Sequence, residues 1–182
     1  MVSAAKDAFG RLDCVCNFAG LNDLCYPVLE TDDERWDKVI DTDLKAPFRI
    51  IREALPLMIE SGGGSIVNIG SYAALRGNHG PAYTAAKAGV EGLTRSIAFG
   101  YSKKNIRCNI IHPGGTMTNI TETSGGTPHP AQNILGTIVQ NMPVNWMSQA
   151  IDIANACLFL CTDEAKQING AVISVDGGMS VC

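Results

Sequence analysis

Residues 64–98 read GSIVNIGSYAALRGNHGPAYTAAKAGVEGLTRSIA, and this stretch decides the fold. Its first part, Ser65–Ile69 (SIVNI), is short, β-branched and apolar throughout, as in a strand buried on both faces. After Gly70-Ser71 comes a loop rich in small residues, and from Pro81 to about Lys103 the pattern is that of a long helix. Proline suits the first helical position, because its missing N–H is one that a helix start leaves unpaired in any case. Tyr83 and Lys87 stand four apart on this helix, so their side chains share one face. Ser71 follows the strand directly, which delivers its hydroxyl to the C-terminal edge of a sheet.

The same punctuation extends in both directions. Leu12–Asn17 (LDCVCN) is a strand that follows a helical scrap ending at Gly10, and Ala19-Gly20 closes it. Thr31-Asp32-Asp33-Glu34 combines an N-cap with acidic first-turn residues and opens a helical stretch. That stretch carries apolar residues at Trp36, Val39, Ile40, Leu44, Phe48, Ile51, Leu55 and Met58, and it stops at Gly62-Gly63-Gly64. Pro47 and Pro56 within it imply a break or kink. Downstream lie a strand at Ile106–Ile111, a helix at Ala150–Leu160 and a last strand at Ala171–Val175 before Asp176-Gly177-Gly178. Between them, residues 116–147 are rich in Thr, Asn, Gly and Pro; the run is long for an unstructured loop and reads as a partly helical flap. Apolar strands alternating with helices specify a doubly wound α/β domain with a parallel sheet of four strands, in one unit over residues 1–182.

The 182 residues carry a formal net charge of −4 and a pI near 5.3. No basic patch denser than Lys103-Lys104 exists to hold a polyanion, so nucleic-acid binding is not expected. No apolar run approaches the roughly 20 residues a membrane span needs. The opening MVSAAKDAFGRLD has neither a basic nor an apolar leader segment, and a cytoplasmic protein is expected. The seven cysteines form no C-x-x-C pair, although Cys14 and Cys16 share a strand face and Cys157 and Cys161 a helix face. With three histidines and none at ligand spacing, no metal site is expected, and the thiols read as small core hydrophobes.

Tyr and Lys at this spacing have a chemical use. A phenol with a pKa of about 10 exchanges protons poorly near neutrality. A fixed ammonium nearby favours its phenolate and brings that value down. A tyrosine so tuned can give a proton to a forming alkoxide or take one from an alcohol, and Ser71 could hold the substrate oxygen. The bare spacing is weak evidence, because many helices contain it by chance.

The whole of residues 64–98, however, closely resembles the active-site segment of the short-chain dehydrogenase/reductase family, and further matches follow in family order. Asn17-Phe18-Ala19-Gly20 resembles the family's Asn-Asn-Ala-Gly turn. Ile106-Arg107-Cys108-Asn109, leading to Pro113-Gly114 and Thr118, resembles the segment around the nicotinamide carboxamide. Phe159-Leu160 with Gly170, and Val175-Asp176-Gly177-Gly178, resemble the end of single-domain members. The resemblance covers nearly the whole chain.

It implies an oxidoreductase that uses NAD or NADP to interconvert a secondary alcohol and a ketone. Tyr83 would be the acid/base, Ser71 would position the oxygen, and Lys87 would tune Tyr83 while holding the nicotinamide ribose. Asn17, Ala19, Gly20, Pro113, Gly114, Thr116 and Thr118 would be further cofactor contacts. A homo-oligomer, dimer or tetramer, would form through the two long helices, about residues 43–60 and 81–103. Two departures stand out. No Gly-x-x-x-Gly-x-Gly turn follows an early strand, so the front of the family domain is expected to be missing, Leu12–Asn17 to be an exposed edge, and the cofactor to be held weakly. And Asp43 stands where the family has a catalytic Asn, in the water relay next to Lys87; its charge should oppose that of Lys87. The rival reading is a non-catalytic remnant that serves as a binding or oligomer-forming subunit. His79 is a candidate for the substrate mouth, and His112 reads as a satisfied structural imidazole. Met142, Trp146 and Met147 read as either core or an apolar lid.

Overall fold

The computed structural model describes residues 1–77, 79–130 and 147–181. Helix α1 (Val2–Phe9) ends at Gly10, whose φ of 68° is the left-handed turn that closes a helix at little cost to glycine. Strand β1 (Cys14–Asn17) follows, then α2 (Asp33–Ile40) and α3 (Ala46–Glu60). Within the capping run Thr31–Glu34 it is Asp32 that caps α2, accepting the Arg35 N–H at 2.7 Å.

The break in this helical stretch comes before either proline, as a widened π turn, Asp41–Lys45, joining α2 to α3. Pro47 then falls in the first turn of α3, where a missing N–H costs nothing, while Pro56 is carried inside the helix. Strand β2 (Gly64–Ile69), helix α4 (Pro81–Tyr101) and strand β3 (Ile106–Pro113) complete the central unit. The flap contributes the two-residue strand β4 (Thr116–Met117) and the short helix α5 (Ile120–Ser124), and β4 pairs in parallel with β5 (Ser148–Gln149) just beyond it. Helix α6 (Ala150–Cys161) and strand β6 (Val172–Val175) end the fold.

The main sheet has the order β1-β2-β3-β6 and is parallel throughout. Its register aligns Val15, Ile66 and Cys108 on one face, and Cys16, Val67 and Asn109 on the other. The first face packs against Ile51, Ala54, Leu55 and Met58 of α3 and Ile97 and Ala98 of α4. The second packs Val67 and Ile111 against Ile153, Cys157 and Leu160 of α6. Helices therefore cover both faces, which is why the strands are apolar without alternation. A third cluster sets Val39 of α2 against Ala82, Tyr83 and Ala86, fixing the start of α4. Among the described residues β1 and β6 are the sheet edges, and no helix is long and apolar enough to cross a membrane.

Candidate active site

The C-terminal ends of β1, β2 and β3 open into one cavity of about 560 Å³. In an open parallel sheet this is the edge where chain direction and loop placement leave a crevice for ligands. Ser71, Tyr83 and Lys87 all line it, so the three residues read from one stretch of sequence converge. Ser71 stands one loop residue after β2 and is nearly buried; its Oγ accepts the Ala73 N–H at 3.1 Å, which pins the hydroxyl at the head of a short 3₁₀ turn. Tyr83 and Lys87 lie on the buried face of the first turns of α4, and the Lys87 ammonium sits 5.4 Å from the centre of the Tyr83 ring.

Lys87 is held from two sides. Its Nζ donates to the Ile69 carbonyl at 3.2 Å and lies 3.1 Å from Asp43 Oδ2. Asp43 sits in the π turn, and its Oδ1 accepts the Leu21 N–H at 2.8 Å. Burial pushes the Asp43 carboxyl up from its ordinary value, against the pull of Lys87 and the Leu21 N–H. Gly20 seals the pair: a side-chain carbon there would lie 3.3 Å from both Asp43 Oδ2 and Lys87 Nζ. The turn after β1 thus favours a glycine for close approach, not for an unusual backbone angle.

Of the expected cofactor contacts, Ala19, Gly20, Pro113, Gly114, Thr116 and Thr118 line the cavity. Asn17 does not. It lies buried inside the sheet, where its amide donates to Asn68 Oδ1 at 2.7 Å, and Asn68 in turn donates to Thr94 Oγ1 at 2.9 Å. Its side chain forms a polar bracket between β1, β2 and α4. Gly114 is a close-approach glycine as well, since a side-chain carbon would come within 2.8 Å of Asp176. Asp176 accepts the Gly178 and Ser180 N–H groups at 3.0 Å each, so the C-terminal turn buttresses the loop after β3.

His79 lines the cavity as expected, with its ring 5.5 Å from that of Tyr83 and 5.4 Å from that of Tyr72; burial lowers its basicity. His112, read as a satisfied structural imidazole, is fully buried. Among the described residues neither ring nitrogen has a hydrogen-bond partner, and Nε2 lies 3.5 Å from Glu91. Burial drives it toward the neutral form. Of the flap-end cluster, Met147 borders the cavity, while Met142 and Trp146 lie outside the described residues.

Sequence reasoning missed Asp23. This fully buried carboxylate accepts the Tyr83 N–H at 2.9 Å through Oδ2 and the Cys25 N–H at 3.2 Å through Oδ1. Gly80, at the cap position of α4, has no side chain to do this, so Asp23 caps the helix from a distant loop. Only an acidic residue soon after the Ala19-Gly20 turn could have hinted at it. The cysteines also depart from expectation. Cys25, Cys108 and Cys157 are buried, but Cys14 and Cys16 are exposed, and both meet Cys161.

The comparisons agree with this geometry. A family model described as enoyl-(acyl carrier protein) reductase matches residues 1–180. The protein named short chain dehydrogenase adrF from Penicillium rubens is 40% identical over all of this chain and 74% of its own length. The 3beta-hydroxysteroid dehydrogenase 2 of Eggerthella lenta is 37% identical, over 99% of this chain and 69% of its own. The crystal structure of levodione reductase superposes with a TM-score of 0.88 at 34% identity, covering all of this chain and 71% of that one. An α/β fold with four parallel strands, a cavity at their C-terminal ends and relatives of this similarity lead to one conclusion: the chain belongs to the short-chain dehydrogenase/reductase family.

Proposed function

We propose that this protein is an NAD- or NADP-dependent oxidoreductase that interconverts a secondary alcohol and a ketone. The observation that carries the reading is the convergence of Ser71, Tyr83 and a doubly anchored Lys87 on one cavity. In ketone reduction the Ser71 hydroxyl donates to the carbonyl oxygen, and the Tyr83 hydroxyl gives that oxygen its proton. In alcohol oxidation Tyr83 takes the proton back. Lys87 stabilises the phenolate left on Tyr83. Asp43, bound to Lys87, stands in the relay that returns a proton to Tyr83.

A nicotinamide cofactor, when bound, supplies or removes two electrons and a hydrogen at the carbinol carbon. The lining fits such a group: Lys87, Thr116 and Thr118 offer hydrogen-bond donors, and Gly20 and Gly114 bring backbone to the cavity wall. Ala19, Gly20, Lys87, Pro113, Gly114, Thr116 and Thr118 would hold it. Phe18, Tyr72, Met147, Ile153 and Met179 add apolar lining, which suits an apolar, uncharged ketone or alcohol. A cytoplasmic homo-oligomer built on α3 and α4 belongs to the same reading.

The test is cofactor-dependent turnover with NAD(H) and NADP(H) over a panel of apolar cyclic alcohols and ketones, hydroxysteroids included. Turnover that Tyr83→Phe abolishes is the expected result. A well-folded wild-type protein with no turnover on any pair would instead establish the non-catalytic reading, which the charge of Asp43 against Lys87 favours.

A further inference from the structure

Strand β1 and helix α6 each present two cysteines on one face, and the fold sets these faces against each other. Cys14 and Cys16 alternate on β1 opposite to Val15, and Cys157 and Cys161 are one turn apart on α6. Cys16 Sγ lies 3.5 Å from Cys157 Sγ and 3.7 Å from Cys161 Sγ, and all three sulfurs fall within 4.8 Å of one another. Cys14 Sγ stands beside them, 3.9 Å from the Cys161 carbonyl oxygen. None of these residues belongs to the catalytic cavity.

The structure assigns Cys16, Cys157 and Cys161 as a thiolate site for a soft divalent metal ion of the zinc type. Sulfurs bound at about 2.3 Å in a tetrahedron lie about 3.8 Å apart, so two of the three separations already match an ion at the centre. No single pair stands out as a disulfide, because Cys16 is shared almost equally between its two neighbours. The donors are all sulfur, which selects zinc-like ions over magnesium or calcium. The fourth position falls to water or to the Cys14 thiol.

Access and charge suit the site. Cys16 is exposed and Cys161 half-buried, so an ion can enter from the sheet edge, while Cys157 is buried beneath. Three thiolates on a divalent ion leave one negative charge. Arg107 brings a guanidinium to the end of α6, where Nη2 donates to the Leu160 and Thr162 carbonyls on either side of Cys161. Each thiol releases its proton to solvent as its metal–sulfur bond forms. The bound ion would clamp β1 to α6.

The test is titration of the reduced full chain with Cd²⁺ and Zn²⁺ under inert gas. Cadmium should give a thiolate charge-transfer absorption that saturates at one ion per chain, and Zn²⁺ should compete for the same site and raise the melting temperature. Cys157→Ser and Cys161→Ser should weaken binding 10-fold or more, with Cys16→Ser, at the exposed ligand, serving as the variant least able to disturb folding. Cys25→Ser and Cys108→Ser should bind as the wild type does. The proposal is overturned by a lack of saturation at one ion, by binding that survives Cys16→Ser, or by a disulfide at Cys16 with no metal uptake after reduction. Catalytic turnover enters none of these readouts, so the outcome is independent of the oxidoreductase reading.

Discussion

The carboxylate of Asp43 lies 3.1 Å from the ammonium of Lys87, with both side chains almost wholly shielded from water. At such a site the negative charge acts on whatever Lys87 acts on, because little solvent screens it. The contact also joins a π turn to helix α4, so a change at residue 43 reaches Tyr83 through one intervening group. Removing Lys87 would leave Asp43 buried and uncompensated, the kind of break that costs about 3–5 kcal/mol.

Asp43→Asn keeps the size and the acceptor for the Leu21 N–H but removes the charge. With the opposing charge gone, Lys87 acts undiminished on the negative charge that Tyr83 carries once it has given its proton. The expected result is a higher kcat near neutral pH, about tenfold for each 1.4 kcal/mol of added stabilisation. An unchanged or lower rate would show that Asp43 is an adapted part of the site.

His112 gives a pH dependence of stability. Burial holds its folded pKa below the ordinary 6.5, with Lys87 adding to the effect and Glu91 and Asp176 opposing it. Unfolding frees the imidazole to take a proton, so between the folded pKa and 6.5 the unfolded chain binds more protons. Stability is therefore full above pH 6.5 and falls as pH drops below it. Urea unfolding across pH 5 to 8 should show a steeper acid-side loss in the wild type than in His112→Leu; equal slopes would remove His112 as the cause.

Asp23 positions the Tyr83 backbone. Asp23→Ala leaves two N–H groups without their acceptor, at about 1–3 kcal/mol for each that stays dry. The urea midpoint should fall accordingly. Asp23→Asn, which keeps an amide oxygen, should recover part of the loss. Gly80→Ala should mimic the damage, since a side-chain carbon there would come 2.3 Å from an Asp23 oxygen. If Asp23→Ala unfolds at the wild-type midpoint, water replaces the carboxylate and the cap is dispensable.

Phe99 on α4 is 89% exposed, and Phe48 on α3 is also uncovered. If α3 and α4 form the contact between subunits, wild-type protein at tens of micromolar should sediment as a dimer or larger. Phe99→Glu should move the distribution toward monomer. A wild-type monomer under these conditions would rule out the contact.

Sequence by itself determined the alternation of elements, because periodicity and punctuation are local. The buried strand 64–69, the proline start of α4 and the Asp32 cap of α2 all report on their own neighbourhoods. The common face of Tyr83 and Lys87 was legible for the same reason: a four-residue helical spacing is geometry contained in one segment. The π turn was not legible, since its sequence, DTDLK, carries no mark separating it from an ordinary helical turn. Tertiary structure alone set the Asp23 cap, which spans 60 positions. It alone paired the Asn17 amide with Asn68, because the bond depended on where Asn68 lay across the sheet. It also brought two innocuous cysteine pairs, more than 140 positions apart, within 4 Å. Each pair's shared face was written in its own spacing, but that the two faces meet follows only from α6 packing over the sheet beside β1.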